Sequence, residues 1–94
     1  MTIVWSPRAV RHLARLRSVI ARDRPLAAEN VAAAILDSVD LLVLHPGLGR
    51  AGRVPGTREL VVQGTPYVVP YRVRDERLEI IAIFHGRQRW PEKL

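Results

Sequence analysis

Arg58-Glu59-Leu60-Val61-Val62-Gln63, Gly64-Thr65-Pro66, Tyr67-Val68-Val69-Pro70-Tyr71-Arg72-Val73-Arg74, Asp75-Glu76, Arg77-Leu78-Glu79-Ile80-Ile81-Ala82-Ile83-Phe84. This stretch holds three runs rich in β-branched and aliphatic residues, parted by turn formers too short to contain a helix. The pattern predicts three strands joined by tight turns, an antiparallel meander over the C-terminal third. Along the third run, Leu78, Ile80 and Ala82 fall on one face and Ile81 and Ile83 on the other. Pro70 interrupts the middle run. Proline cannot donate to a ladder, so it predicts an edge position or a bulge there.

Upstream of the meander the period changes from two to 3.6. Thr2 to Trp5 reads as a short β-branched strand. Ser6-Pro7 then supplies an N-cap and a first-turn proline, predicting a helix over 7–22 with Val10, Leu13, Leu16 and Ile20 on its apolar face. Asp23-Arg24-Pro25 ends it and starts another. Val31, Ala32, Ile35, Leu36, Val39, Leu42 and Val43 recur at helical spacing until His45-Pro46-Gly47 stops the helix near Leu44. So short a link makes the two helices an antiparallel hairpin. Gly47 to Gly56, with four glycines and a proline, predicts no regular element beyond a brief extended stretch. The fold class is therefore α+β in one domain over 1–94: an N-terminal strand, an antiparallel helical hairpin, and a C-terminal antiparallel β-meander. The hairpin covers one sheet face and leaves the other free.

The chain has 94 residues, 48% hydrophobic, with a net charge of +6 from 15 basic and 9 acidic side chains. All but one of the cations are arginine; the exception is Lys93. That surplus suits an anionic partner, and arginine forks bind phosphate or carboxylate in a bidentate way that lysine cannot. A high-GC genome would also enrich arginine without any such role. The chain has no cysteine, which excludes disulfides and thiolate metal sites and fits a reducing cytoplasm. His12, His45 and His85 have no ligand spacing, so no metal is expected. No run is long and apolar enough for a membrane span, and Met1 to Trp5 lacks the features of a signal peptide. No glycine-rich phosphate loop is followed by Lys-Ser/Thr, so no cofactor is expected.

The residues with chemical potential gather late in the chain. His85 follows the last apolar run, where a partly exposed imidazole can act as acid or base, or can simply bond a neighbouring loop. Arg87 and Arg89 alternate along the tail. Arg58, Arg72 and Arg74 share parity on their strands, and Arg58 and Arg72 could join the tail arginines around one concavity that holds a phosphodiester. The bland alternative is a solvated basic face paired to Glu59 and Glu79. Trp90 can cap the core, stack on a base or anchor a partner, and capping is favoured. Tyr67 and Tyr71 share a face and are expected to pack. His12 and His45 are expected to be structural, the latter complementing a helix C-terminus.

The chain resembles the RelE/ParE superfamily of bacterial type II toxins over nearly its whole length. Ile3-Val4-Trp5-Ser6-Pro7-Arg8-Ala9 matches the first strand and helix start. Leu41-Leu42-Val43-Leu44-His45-Pro46-Gly47-Leu48-Gly49-Arg50 matches the second helix end and its glycine turn. Gly56-Thr57-Arg58-Glu59-Leu60, Pro70-Tyr71-Arg72-Val73 and Leu78 to Arg87 match the strands. The resemblance implies a growth-inhibiting toxin of the kind that stabilises plasmids, made beside a ParD- or RelB-like antitoxin whose acidic segment wraps it. ParE-like members poison DNA gyrase. RelE-like members cleave mRNA on the ribosome without a metal. RelE-like nucleases typically carry an arginine three residues before the strand tyrosine; here that tyrosine is Tyr71 and the position holds Val68. Their C-terminal tyrosine is absent too, with only Trp90 nearby. The resemblance therefore implies the ParE-like branch, with Arg58, Arg72, Arg87, Arg89 and Trp90 binding target or antitoxin. The alternative is a RelE-like endoribonuclease using His85 and Arg87 as catalytic residues. A third reading, a basic binding module that has lost toxicity, predicts harmless expression.

Overall fold

Ser6 sets the junction from which the molecule is built. In the computed structural model, which describes residues Met1–Leu94, its side chain accepts the Ala9 N–H at 2.9 Å as an N-cap and donates to the Ile81 carbonyl at 2.7 Å. One hydroxyl thus starts helix α1 (Pro7–Ala21) and ties it to the far end of the chain. Helix α2 (Pro25–Leu44) runs back along α1. It buries Ala28, Ala32, Ile35, Val39 and Leu42, an alternating four-three spacing that keeps one stripe inward. An exposed ion pair, Arg17 to Glu29 at 2.6 Å, crosses between the helices and adds little. On α1 the inward residues are Ala9 and Leu16, with Leu13 and Ile20 half-buried, while Val10, expected inside, is 53% exposed. On α2, Leu36 likewise faces outward.

The strands are β1 (Thr2–Trp5), β2 (Arg50–Ala51), β3 (Arg58–Val61), β4 (Tyr67–Arg74), β5 (Arg77–Ile80) and β6 (Phe84–His85). They form a mixed sheet in the order β1-β5-β4-β3-β2, with β6 also on β4. The meander β3-β4-β5 is antiparallel, as the sequence predicts, and β1 pairs with β5 in parallel. That parallel pairing requires a crossover, which the helical hairpin supplies. The β4–β5 turn is made by Asp75 and Glu76, both at positive φ (53° and 58°), the handedness that a two-residue hairpin needs.

The predicted third strand, Arg77 to Phe84, is broken in two. Tyr71 pairs with Ile80 but Val68 pairs with Phe84, so Val69 and Pro70 face the three residues Ile81–Ile83. The extra residue is a bulge. It explains Pro70, which lies in a central strand and not at an edge. The Pro70 carbonyl accepts the Ile81 N–H at 3.0 Å, so its ring nitrogen faces the bulge, where no ladder donor is required. The bulge's displaced backbone groups are recovered by α1: Ser6 Oγ donates to the Ile81 carbonyl, and His12 Nδ1 accepts the Ile83 N–H at 3.1 Å. The alternating in–out pattern also ends here, since every residue from Ile80 to Phe84 is buried.

The main core joins α1 and α2 to Leu60, Val62, Val69, Tyr71, Leu78, Ile80 and Ile83. Tyr67 packs at its rim, on the face of Tyr71 as expected. A second cluster forms where Ile81, Ala82 and Phe84 meet Trp90 and Leu94. The returning C-terminal tail therefore covers part of the sheet face expected to be free. Register also separates the arginines. Arg58 stands opposite Tyr71, whereas Arg72 stands opposite Glu79, so Arg58 shares the helix-covered face of Tyr71 and Arg72 points to the other.

Candidate functional site

The four arginines expected around one concavity are not gathered there. Arg58 donates to the Gly49 carbonyl at 2.9 Å and reaches the Gly47 carbonyl at 3.4 Å, bracing the turn after α2. Arg72 Nε donates to Glu79 Oε1 at 2.6 Å, and Arg74 approaches the same oxygen at 3.5 Å. Those guanidiniums hold the Glu79 carboxyl below its usual range, Arg72's hydrogen bond foremost. Arg87 and Arg89 are exposed and make no ion pair. His85 lies opposite Tyr67, at the first residue of β4, five residues from Arg72 and therefore roughly 15 Å along the strand.

Glu59 is the most heavily engaged acid. It is 3% exposed and accepts from Arg50 at 3.1 Å and from both the backbone N–H (2.8 Å) and Nε (3.2 Å) of Arg53. Burial pushes its pKa up. The Arg53 N–H and the two guanidiniums together outweigh that, and the carboxyl rests below its ordinary value. The Arg53 Cζ in turn lies over the Trp90 ring, 3.6 Å from its centroid, while the Phe84 ring centroid is 4.7 Å from the same indole. Trp90, for which the sequence favours capping of the core, is half-buried against the second cluster.

His85 is half-buried beside Tyr67, ring edge to ring face at 5.6 Å. Its Nδ1 accepts the Arg87 N–H at 3.1 Å, and its own N–H donates to Gln88 Oε1 at 3.1 Å. A hollow of about 340 Å³ opens beside it, lined by His12, Arg15, Leu16, Val19, Tyr67, Ile83, His85 and Gln88. His12 and Arg15 are the members sequence reasoning missed. His12 does have the structural role expected of it, but it also reaches this hollow. Desolvation foremost, then the Arg8 charge, lowers its pKa. No signal in the sequence joins a residue of α1 to one of β6; only the bulge, through the Ile83 N–H, brings them together.

A second hollow, also about 340 Å³, runs between the end of α2 and the part of β3 that β2 leaves unpaired, with Leu41, Leu48 and Val61 on its walls. Those three side chains are between 41% and 54% exposed, an apolar strip at the edge of the sheet. No group of three or more His, Cys, Asp or Glu side chains is placed to hold a metal ion, and no helix is long and apolar enough to cross a membrane.

Comparison with known proteins places this geometry in a lineage. The sequence model of the "ParE toxin of type II toxin-antitoxin system, parDE" matches residues 3–90. A Sinorhizobium fredii protein described as "Putative toxin Y4kP" is 42% identical over 92 residues, covering 98% of this chain and 95% of that one. Toxin RelE3 of Caulobacter vibrioides is 35% identical over 90 residues, covering 94% and 97%. Among solved structures, the chromosomal ParDE system of P. aeruginosa superposes with a TM-score of 0.83 at 27% identity, over 90% of this chain and 95% of that one. The RelBE2 toxin–antitoxin complex of Mycobacterium tuberculosis superposes with a TM-score of 0.66 at 26% identity, over 89% and 95%. The family match over residues 3–90, the 42% identical relative and the shared fold together mean that this chain belongs to the ParE toxin family, within the RelE/ParE superfamily of type II toxins.

Proposed function

We propose that this protein is a ParE-like toxin that arrests growth in the cytoplasm by binding DNA gyrase, and that a cognate ParD- or RelB-like antitoxin neutralises it. The observation that carries the choice of target is the hydrogen bond that occupies His85 Nδ1. A neutral imidazole that accepts a hydrogen bond at Nδ1 carries its proton on Nε2. His85 accepts the Arg87 N–H at Nδ1, so its remaining nitrogen is a donor and not the base needed to activate a 2′-hydroxyl. The dispersal of Arg58, Arg72 and Arg87, and Val68 in place of an arginine, point the same way. With a net charge of +6 and an apolar strip at the β3 edge, the chain is suited to an antitoxin segment that is acidic and partly apolar.

The test is induced expression in a bacterium without antitoxin, with growth, mRNA integrity and gyrase supercoiling followed together. Growth arrest with intact mRNA and blocked supercoiling is the expected result. A second reading, a ribosome-dependent endoribonuclease, is favoured by the 35% identity to a protein named Toxin RelE3. It requires cleaved mRNA at arrest, and loss of that cleavage in Arg87→Ala and His85→Ala. Harmless expression would sink both and leave a basic binding module.

A further inference from the structure

Three acceptor atoms around the α1–β6 hollow are already occupied by backbone N–H groups. Ile83 donates to His12 Nδ1, Arg87 to His85 Nδ1 and His85 to Gln88 Oε1, each at 3.1 Å. Both imidazoles are thereby fixed with the proton on Nε2, and Gln88 is left with its amide NH₂. Each of these side chains has its donor to spare, and each imidazole has its single acceptor spent. The other polar residues of the wall are Arg15, which makes no ion pair, and Tyr67, whose hydroxyl has no hydrogen-bond partner in the molecule. No Asp or Glu lines the hollow. All five polar side chains can therefore donate, and no anion of the protein's own answers them. Such a donor surplus is complementary to an external anion with several acceptor oxygens. A carboxylate has two; a phosphate group has more, spread over a tetrahedron. Leu16, Val19 and the Tyr67 ring give the same hollow an apolar side, and its 340 Å³ is at the lower end of small-molecule sites, roughly 300–1,000 Å³.

We propose that this hollow binds a phosphate ester, with Arg15, His12, His85 and Gln88 holding the phosphate oxygens and Tyr67 and Val19 receiving the organic group. The ligand's source is either a free nucleotide or a nucleic acid strand; both present the same group. The site lies on α1 and the end of the sheet, apart from Arg58 and Arg72, and it does not depend on gyrase being the target.

The experiment is a titration of the full chain near neutral pH, at constant ionic strength, reading the imidazole ¹H–¹⁵N resonances. The probes are inorganic phosphate, a nucleoside 3′-monophosphate, a short single-stranded RNA and acetate. The Nε2–H signals of both His12 and His85 are expected to move and saturate with the phosphate compounds and not with acetate. Arg15→Gln should weaken binding by about tenfold or more, the usual effect of losing one charged hydrogen-bond donor. Gln88→Glu keeps the oxygen that the His85 N–H needs, but should abolish binding by setting a negative charge in the wall. Arg17→Gln, one helical step outside the hollow, should leave affinity unchanged. A mononucleotide tighter than the RNA identifies a free nucleotide as the ligand, and the reverse identifies a strand; both uphold the site. The proposal is overturned by the absence of saturable shifts up to about 10 mM phosphate, by equal shifts with acetate, or by Arg15→Gln and Gln88→Glu proteins that bind as the parent does.

Discussion

Arg53 lies 3.6 Å above the centroid of the Trp90 ring while its Nε holds Glu59 at 3.2 Å. One side chain thus fastens the loop before β3 to the returning C-terminal tail. The Trp90 Nε1–H is buried with no partner, so the indole contributes by area and by the stacked cation and not by hydrogen bonding. Trp90→Phe is therefore expected to change stability by less than about 1 kcal/mol, because it removes an unsatisfied donor along with some area. Trp90→Ala should cost about 3 kcal/mol. Urea melts of the two variants check this; equal losses would show that the indole nitrogen is satisfied in solution.

Glu59 should govern the acid limb of stability. Its pKa is held below the ordinary value in the fold, so the unfolded chain binds its proton more readily. Its contribution is fully present above the unfolded pKa, near 4.5, and is lost as pH falls through the folded value. His12, also depressed, acts with the same sign from about pH 6.5 downward. Stability should fall in two stages on acidification. Glu59→Gln should shrink the lower stage to the part that the depressed Glu79 supplies, and cost about 2–4 kcal/mol at neutral pH, since Arg50 and Arg53 lose a buried charged partner. Thermal melts between pH 3 and 8 read both stages, and an unchanged lower limb in the variant would refute the assignment.

His12→Ala should cost about 1–3 kcal/mol by leaving the Ile83 N–H without its acceptor. His12→Asn, whose Oδ1 stands as far along the side chain as the imidazole Nδ1, should recover part of that. Amide exchange at Ile83 is the direct readout: it should speed up in the alanine variant, and unaltered exchange would mean that water serves the bulge equally well.

At the β4–β5 turn the chain adopts positive φ at two residues with side chains. Replacing Asp75-Glu76 with Asn-Gly should raise stability by about 1 kcal/mol, because Asn and Gly accept that conformation at less cost. A chemical-denaturation midpoint that does not rise would show the turn to be relaxed as it stands.

Gly49 is constrained for another reason. A methyl group there would meet the Tyr71 ring at 2.6 Å, its hydroxyl at 2.7 Å and the Glu59 carbonyl at 2.9 Å. The Tyr71 hydroxyl also accepts the Gly49 N–H and donates to the Pro46 carbonyl. Gly49→Ala should cost several kcal/mol, and Tyr71→Phe about 1–3 kcal/mol with the fold retained. Both are measured by denaturant titration; a neutral Gly49→Ala would mean that the loop after α2 moves aside freely.

What the sequence discloses and what it conceals follow from the range of each interaction. Ser6-Pro7, His45-Pro46-Gly47 and Asp75-Glu76 act within a few residues, so element boundaries were legible to within a residue or two. Pro70 announced the bulge but not that its strand is central, because Ile81–Ile83 are apolar on both faces and carry no alternation to show where the ladder slips. Parity within strands suggested a shared face for Arg58 and Arg72. Cross-strand register, which parity cannot supply, put them on opposite ones. The meeting of His12 with His85 depends on that same slip, so the hollow beside them was invisible until the bulge was seen.

The parallel pairing of β1 with β5 has a consequence in time. Ser6 reaches its partner Ile81 across 75 residues, and Arg8 reaches the Leu94 carbonyl across 86. The cap of α1 is local, but the first strand stays unpaired and the Ser6 hydroxyl lacks its Ile81 acceptor until β5 and the bulge after it are present. Contacts of such long sequence separation form late. During synthesis the helical hairpin can assemble while the sheet edge it will cover does not yet exist. Strand β5, and not the β1 that precedes it by some seventy residues, decides when that edge of the sheet is finished.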